Sequence, residues 1–181
     1  KKETKRRFPP VSDPSRLIAV LLDIERHVGE LGWDQPARLF ALVGTQELLH
    51  MEPQLSGRVP EGADDAMSAV EQDEFRAGEN LFERLSEIYF PDSVEGVAIS
   101  LERTFLPSQF EADVPAGEEA AAEFVRTHPE HQDVRAVVGV LRDGSRYALA
   151  RLQSHPEDLL RGQDIIPNLP EALAQTLRSD A

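Results

Sequence analysis

Apolar residues recur at helical spacing near the start of the chain. The stripe consists of Leu17, Leu21, Ile24, Val28 and Leu31. This period predicts a long helix with one face in the core. Ser12 or Asp13 is expected to cap the helix, Pro14 suits its first turn, and Gly29 and Gly32 are expected to end it.

The pattern then changes to one that is typical of strands. Residues 38–43 form a near-continuous apolar run after a turn at Trp33-Asp34-Gln35-Pro36, which predicts a buried strand. Residues 95–106 alternate instead, with Val97, Ile99 and Leu101 on one face. Strict alternation predicts a strand that is buried on one side only.

A hairpin is the strongest local signal of the sequence. Residues 134–142 and 145–153 are apolar enough for two strands, and Asp143-Gly144 lies between them. This dipeptide favours a tight type I′ turn. The sequence therefore predicts two adjacent antiparallel strands.

Short helices are predicted between and after the strands. They begin at Thr45, at Asn80 with Glu83 as a capping box, at Glu118, around Glu157, and at Asn168 with Glu171 as a second capping box. Residues 54–79 contain three glycines, one proline and several acids. This composition predicts a mobile acidic loop.

These elements together indicate an α+β fold. We expect a mainly antiparallel four-stranded sheet packed by the long N-terminal helix and by further helices. Residues 1–12 are expected to form a disordered basic tail, and residues 13–181 a single domain.

Charge and composition narrow the classes of partner. The chain of 181 residues carries a formal charge of −14, although its first segment, residues 1–7, has a net positive charge. An acidic body repels phosphate backbones, which argues against nucleic acid as the main partner. The chain has no cysteine, and no apolar run approaches the length of a membrane helix. We predict a cytoplasmic protein with no membrane partner and no cofactor.

Arginines on the strands are the first candidate site. In an acidic protein, such a group can bind a carboxylate or a phosphate through paired hydrogen bonds. The alternative is structural, with cross-strand pairs to Glu95 or Glu102 or protection of a sheet edge. The candidate ligand-binding residues are Arg103, Arg135, Arg142, Arg146 and Arg151.

A pair of histidines is the second candidate site. His128 and His131 lie three positions apart beside Glu130, so that together they offer ligands for zinc. However, Pro129 interrupts the helix between them, and a histidine near a helix C-terminus is favourable for electrostatic reasons alone. The structural interpretation is therefore favoured over a metal site.

Two segments resemble a known family. They are Gly32-Trp33-Asp34-Gln35-Pro36 leading into residues 38–43, and residues 137–146 (VVGVLRDGSR). They resemble a family of uncharacterised actinobacterial proteins, from about Ser15 to the last helix. The resemblance implies a cytoplasmic bacterial protein and supplies no activity, substrate or catalytic residue. In topology, the predicted fold is also similar to small acidic chaperones of secretion systems, which are dimers that bind extended segments.

The functional hypothesis is a non-enzymatic module that binds a protein or a peptide, with a homodimer as one option. Small residues at Ala98, Ser100 and Gly139 are expected to open one sheet face to the partner. The alternative is a small-molecule-binding protein or a metal-dependent hydrolase. Its pocket would lie near the strand arginines or the histidine pair.

Overall fold

One antiparallel sheet organises the part of the chain that this computed structural model describes, which comprises residues 14–57, 65–78, 80–163 and 165–178. The described strands follow the spatial order β2-β1-β3-β4-β5-β6, and every neighbouring pair is antiparallel. The strands are β1 (Arg38–Gly44), β2 (Met67–Glu71), β3 (Gly96–Phe105), β4 (Gln132–Leu141), β5 (Arg146–Leu152) and β6 (His155–Gly162).

Helices cover both faces of this sheet. They are α1 (Ser15–Glu30), α2 (Thr45–Met51), α3 (Leu81–Ser86), α4 (Glu118–Thr127) and α5 (Leu169–Gln175), and short 3₁₀ turns lie at Pro53–Leu55 and Ser108–Asp113. The predicted α+β class and antiparallel sheet are confirmed. None of the described helices is long and apolar enough to cross a membrane.

The long first helix lies across one face of the sheet. Its apolar stripe packs on β1, β3, β4 and β5, and Leu17 and Leu21 are fully buried there. Gly139 lies directly beneath both leucines, since a Cβ at that position would be only 2.7 Å from Leu21 Cδ2. The missing side chain therefore lets α1 approach β4 closely.

This packing corrects the expectation of an open sheet face. Ala98 and Ser100 are 0% and 2% exposed, and they share the α1 side of β3 with the contacts just described. The small residues make room for the protein's own helix and not for a partner. For the same reason, the first half of β3 is buried on both sides and not on one side only.

The opposite face of the sheet packs against α3 and α5. Leu85 of α3 and Leu169 and Leu173 of α5 are fully buried against Val97, Ile99 and their neighbours. Asn80 caps α3 as predicted, because its side chain accepts a hydrogen bond from the Glu83 amide. Asn168 makes no side-chain cap on α5 and adopts a left-handed conformation. The predicted caps Ser12 and Asp13 lie outside the described residues.

The prediction of four strands is wrong, because the sheet has six among the described residues. Residues 67–71, predicted as loop, form β2, and the segment around Glu157, predicted as helix, lies in β6. Both additional strands are edges of the sheet. An edge strand is paired on one side only and tolerates proline and charge, so its sequence lacks the apolar pattern of a central strand.

The turn between β4 and β5 also differs from the expected type. The Gly144 amide donates to the Leu141 carbonyl (3.1 Å), and Gly144 alone of the Asp143-Gly144 pair has a positive φ. This is a type I turn followed by a left-handed glycine, which makes a three-residue hairpin loop and not a type I′ turn. Asp143 stabilises the loop by accepting a hydrogen bond from the Ser145 amide (2.8 Å).

Candidate functional site

Two of the candidate arginines meet beneath the C-terminal half of α1. Arg135 and Arg151 are direct cross-strand partners on β4 and β5. Both contact Glu25 of α1, with Arg135 Nη2 at 3.2 Å and Arg151 Nε at 2.6 Å from Oε1. The side chains of Glu25 and Arg135 are only 8% and 5% exposed. We call Glu25, Arg135 and Arg151 the buried ion cluster.

The buried ion cluster keeps its charges through mutual contact. Burial alone would raise the pKa of Glu25, but the hydrogen bonds and positive charges of Arg151 and Arg135 outweigh this effect and lower it. The hydrogen bond with Glu25 in turn raises the pKa of Arg151. Arg151 also donates to the Pro156 carbonyl of β6. These contacts join α1 to β4, β5 and β6, so the cluster has a structural role.

The turn after α1 closes over the same end of the sheet. Trp33 lies over the Arg135 guanidinium, with 4.8 Å between the guanidinium carbon and the ring centroid. Glu102 of β3 accepts hydrogen bonds from the Asp34 amide (3.0 Å) and the Gln35 amide (2.6 Å). These contacts therefore hold the Trp33-Asp34-Gln35 turn in place, and Asp34 adopts a positive φ within it.

The other three candidate arginines lie apart from the buried ion cluster. Arg142 donates to backbone carbonyls of Val94, Phe90, Pro91 and Leu177, which ties the end of β4 to two loops. Arg146 pairs with Glu171 of α5 (3.1 Å). Arg103 is exposed and lines a pocket of about 280 Å³ together with Gln35, Asn80 and Glu102. The five arginines do not converge on one ligand site.

The two candidate histidines are held by local contacts. His128 packs between Phe110 and Phe124, with ring centroids 4.5 and 5.5 Å away. Its Nδ1 accepts the Glu130 amide (3.0 Å), and His131 Nδ1 lies 2.6 Å from the His128 carbonyl oxygen. No group of three or more metal-ligating side chains exists among the described residues. The geometry of this segment is that of a packed turn.

An apolar groove lies at the other end of the sheet, beside β2. Its volume is about 530 Å³. Leu39 of β1, Phe75, Ile88 and Phe90 form its apolar wall, between α3 and the segment that follows β2. The rest of its lining is polar or charged and comprises Gln72, Glu74, Arg76, Arg84 and Glu87. A concave surface that combines apolar and polar groups is typical of a binding site. We call it the β2 groove.

The edge of β2 runs directly into this groove. The Gln72 amide bonds to the Leu39 carbonyl and the Thr45 amide to the Ala66 carbonyl, both at 2.8 Å. Together with the register of β1 and β2, these bonds show that Ser68 and Val70 pair with β1. The backbone groups of Met67, Ala69 and Glu71 consequently point outward from the sheet, and no described strand pairs with them.

One exposed apolar side chain of β2 lies on the same face of the sheet as the groove. Met67 and Ala69 face α1, whereas Val70 lies on the opposite face, the same one as Leu39 in the groove. Val70 is 39% exposed. An edge strand, an exposed valine and an apolar groove are therefore contiguous.

Few features of the sequence point to this region. Phe75 and the residues of β2 stand among acids and glycines, so the stretch was predicted as loop. A short run of alternating character at Met67–Glu71 is the signal that points to a strand. Leu39, Ile88 and Phe90 come from two other segments, and only the fold brings them to Phe75.

The chain matches a known protein family. A family model described as PPA1309-like protein matches residues 17–178. The chain therefore belongs to the PPA1309-like protein family, which agrees with the resemblance to an uncharacterised family. Comparisons with curated proteins and with solved structures find no match to the chain.

Proposed function

We propose that the protein is a non-enzymatic module that binds an extended segment of a partner protein along β2. The segment adds to the sheet as a further strand beside β2 and places an apolar side chain in the β2 groove. The observation that carries this proposal is the contiguity of the outward-facing edge of β2 with the groove of about 530 Å³.

Three features support β2 over the other surfaces. The faces of β3 and β4 are occupied by α1 and α5, so they offer no open sheet. At the opposite edge, β6 contains Pro156 and two acids, and its pairing with β5 shifts register between Arg151 and Leu152 of β5. Proline and charge discourage strand addition. The five residues of β2 contain no proline and one acid, Glu71, which is paired with Arg38.

Burial of an apolar side chain in the groove adds to the free energy of binding. Strand addition supplies backbone hydrogen bonds, but each bond contributes modestly because it replaces one to water. Burial of an apolar side chain against Leu39, Phe75 and Ile88 contributes about 1.5–3 kcal/mol more. The edge thus gives alignment and the groove gives affinity and selectivity.

A second candidate function rests on Arg103. This guanidinium lines the pocket of about 280 Å³ and has no polar partner among the described residues, so it is suited to a small carboxylate. The pocket is smaller than most ligand sites, and its other polar groups already bond to the protein. Binding of a small acid that is lost in Arg103→Ala would favour this function.

Selection of peptides from a random library displayed on phage tests the leading proposal. We expect enrichment of sequences with apolar residues at alternate positions, and loss of their binding to Val70→Lys. The matched control is Met51→Lys, which also adds a charge at an exposed apolar position, on α2. Failure to enrich any such sequence, or equal loss in both variants, would contradict the proposal.

Further parts of the interpretation are proposals that follow from the resemblance and the topology. We infer a single domain from residue 13 onward, since all described strands join one sheet. The resemblance supports a cytoplasmic role in an actinobacterium. A homodimer and a likeness to secretion chaperones agree with a free sheet edge. Sedimentation equilibrium tests the homodimer directly.

A further inference from the structure

We infer that the segment bound along β2 carries basic residues on both sides of its apolar core. This inference rests on the proposed function and adds the chemistry of the partner. It follows from the charges at the two ends of β2 and from the contacts that the neighbouring arginines make.

Unpaired acids flank β2 at both ends. Asp65 precedes the strand, and Asp73 and Glu74 follow it; all three are exposed. None of the three side chains forms an ion pair with another residue that the structure describes. The edge therefore presents a negative charge before and after its outward-facing backbone.

The cations near this edge are already engaged. Arg38 pairs with Glu71 (3.0 Å) and donates to Gln35. Arg76 donates through Nη1 to the carbonyls of Asp73 and Phe75, both at 2.8 Å. Arg84 lies 3.5 Å from Glu87 on α3. Arg38 and Arg84 are each matched by a carboxylate, whereas Arg76 bonds only to neutral carbonyls and keeps its positive charge. Asp73, Glu74 and Arg76 together therefore leave one negative charge after β2.

Spacing along the strand defines the partner further. An extended chain rises about 3.3 Å per residue, so Asp65 and Asp73 are roughly 25 Å apart along the edge. A paired segment matches this span with about eight residues between its basic ends. Alternate residues of the core would then face the side of Val70 and the groove. The partner is consequently an extended segment with an alternating apolar core and lysine or arginine at each end.

Three labelled synthetic peptides test this inference by fluorescence anisotropy. The first has alternating valine and threonine with two lysines at each end. The second keeps this core and replaces the lysines with glutamates. The third keeps the lysines and replaces the core with glycine and serine. We expect the first to bind at least about tenfold more tightly than either of the others at low salt.

A charge variant locates the effect on the protein. In Asp73→Asn/Glu74→Gln, we expect the lysine-flanked peptide to bind about fivefold more weakly and with less dependence on salt. The control is Glu118→Gln/Glu119→Gln on α4, which removes the same charge at exposed positions elsewhere. This control should bind as the wild type does.

The outcomes separate the inference from the proposed function. Equal binding of the lysine- and glutamate-flanked peptides would overturn the inference and leave strand addition standing. Equal binding of the glycine–serine peptide would show attraction by net charge alone and would overturn both. Absence of binding by all three peptides would also overturn both.

Discussion

Two regions of this sheet, the buried ion cluster and the β2 edge, differ in what their polar groups contact. Beneath the C-terminal half of α1, the carboxylate of Glu25 binds both Arg135 and Arg151. The cluster keeps a net positive charge, and two buried nitrogens of Arg135 have no hydrogen-bond partner among the described residues. Along β2, backbone groups, an exposed valine and flanking acids face outward without described partners. The buried ion cluster joins α1 to the sheet, whereas the outward-facing backbone of β2 pairs with no described strand.

The comparison shows that most of the chemically prominent residues of this sequence bond within the molecule. The arginines and the Trp33 segment carry the most unusual residue types, yet their side chains join parts of the same molecule. The apolar wall of the β2 groove consists of common residues, Leu39, Phe75, Ile88 and Phe90. Burial of an arginine demands a partner, so its presence in a strand first indicates a structural pair.

Removal of Glu25 should produce the largest change in stability. Glu25→Ala leaves Arg135 and Arg151 together without their carboxylate, and loss of one partner from a buried pair costs about 3–5 kcal/mol. Urea unfolding gives the free energy of unfolding. Asp23→Ala, which removes an exposed partner of Arg26 on the same helix, should change it by less than about 0.5 kcal/mol. Similar values for both variants would show that the cluster is not a structural centre.

A methyl group beneath α1 should have the next largest effect. In Gly139→Ala, the new Cβ would lie 2.7 Å from Leu21 Cδ2 and 3.0 Å from Leu17 Cδ1. Because both leucines are fully buried, overpacking should cost about 1–3 kcal/mol. Gly44→Ala is the control, since its Cβ would meet only side-chain atoms at 3.8 Å. Thermal unfolding that ranks the two variants in the opposite order would contradict the close packing of α1.

Acid should weaken the buried ion cluster in a defined direction. The pKa of Glu25 is lowered in the folded protein, so its contribution is present above the ordinary value of 4.5 and is lost as the pH falls through the folded value. The free energy of unfolding should therefore fall less steeply with acid in Glu25→Gln than in the wild type. Urea unfolding between about pH 3 and pH 7 measures both slopes. Parallel slopes would contradict a charged Glu25 in the cluster.

Val70→Lys should have the smallest effect on stability. Val70 is 39% exposed, so the variant should differ from the wild type by less than about 0.5 kcal/mol. Its effect should appear in peptide binding instead. A large loss of stability would mean that Val70 belongs to the core. The contrast between the buried ion cluster and the β2 edge would then disappear.

The central fold was predictable because its elements have strong periods. α1, β1, β3 and the β4–β5 hairpin follow the predicted segments closely, since each buries a regular apolar pattern. β2 and β6 were not predicted from the sequence, because edge strands lack a regular apolar pattern. In β6, the His155-Pro156-Glu157-Asp158 segment is more typical of a turn than of a strand.

The partners of Arg135 and Arg151 could not be predicted from the sequence for a different reason. Glu25 is 110 residues from Arg135 and 126 from Arg151 along the chain. The proposed cross-strand partner Glu102 does lie opposite Arg135, but its carboxylate binds the turn after α1. The sequence predicts structural pairs with Glu95 or Glu102, whereas Arg135 and Arg151 pair with Glu25. Only the packing of α1 on the sheet selects this carboxylate.

Amide hydrogen exchange at Ala69 is the most direct test of the central claim, that β2 is an edge completed by a partner. The Ala69 amide points outward, whereas the Val70 amide pairs with β1, so the two neighbours act as probe and control. With the lysine-flanked peptide bound, we expect exchange at Ala69 to slow markedly while exchange at Val70 changes little. Unchanged exchange at Ala69 in a complex that has demonstrably formed would contradict strand addition at β2.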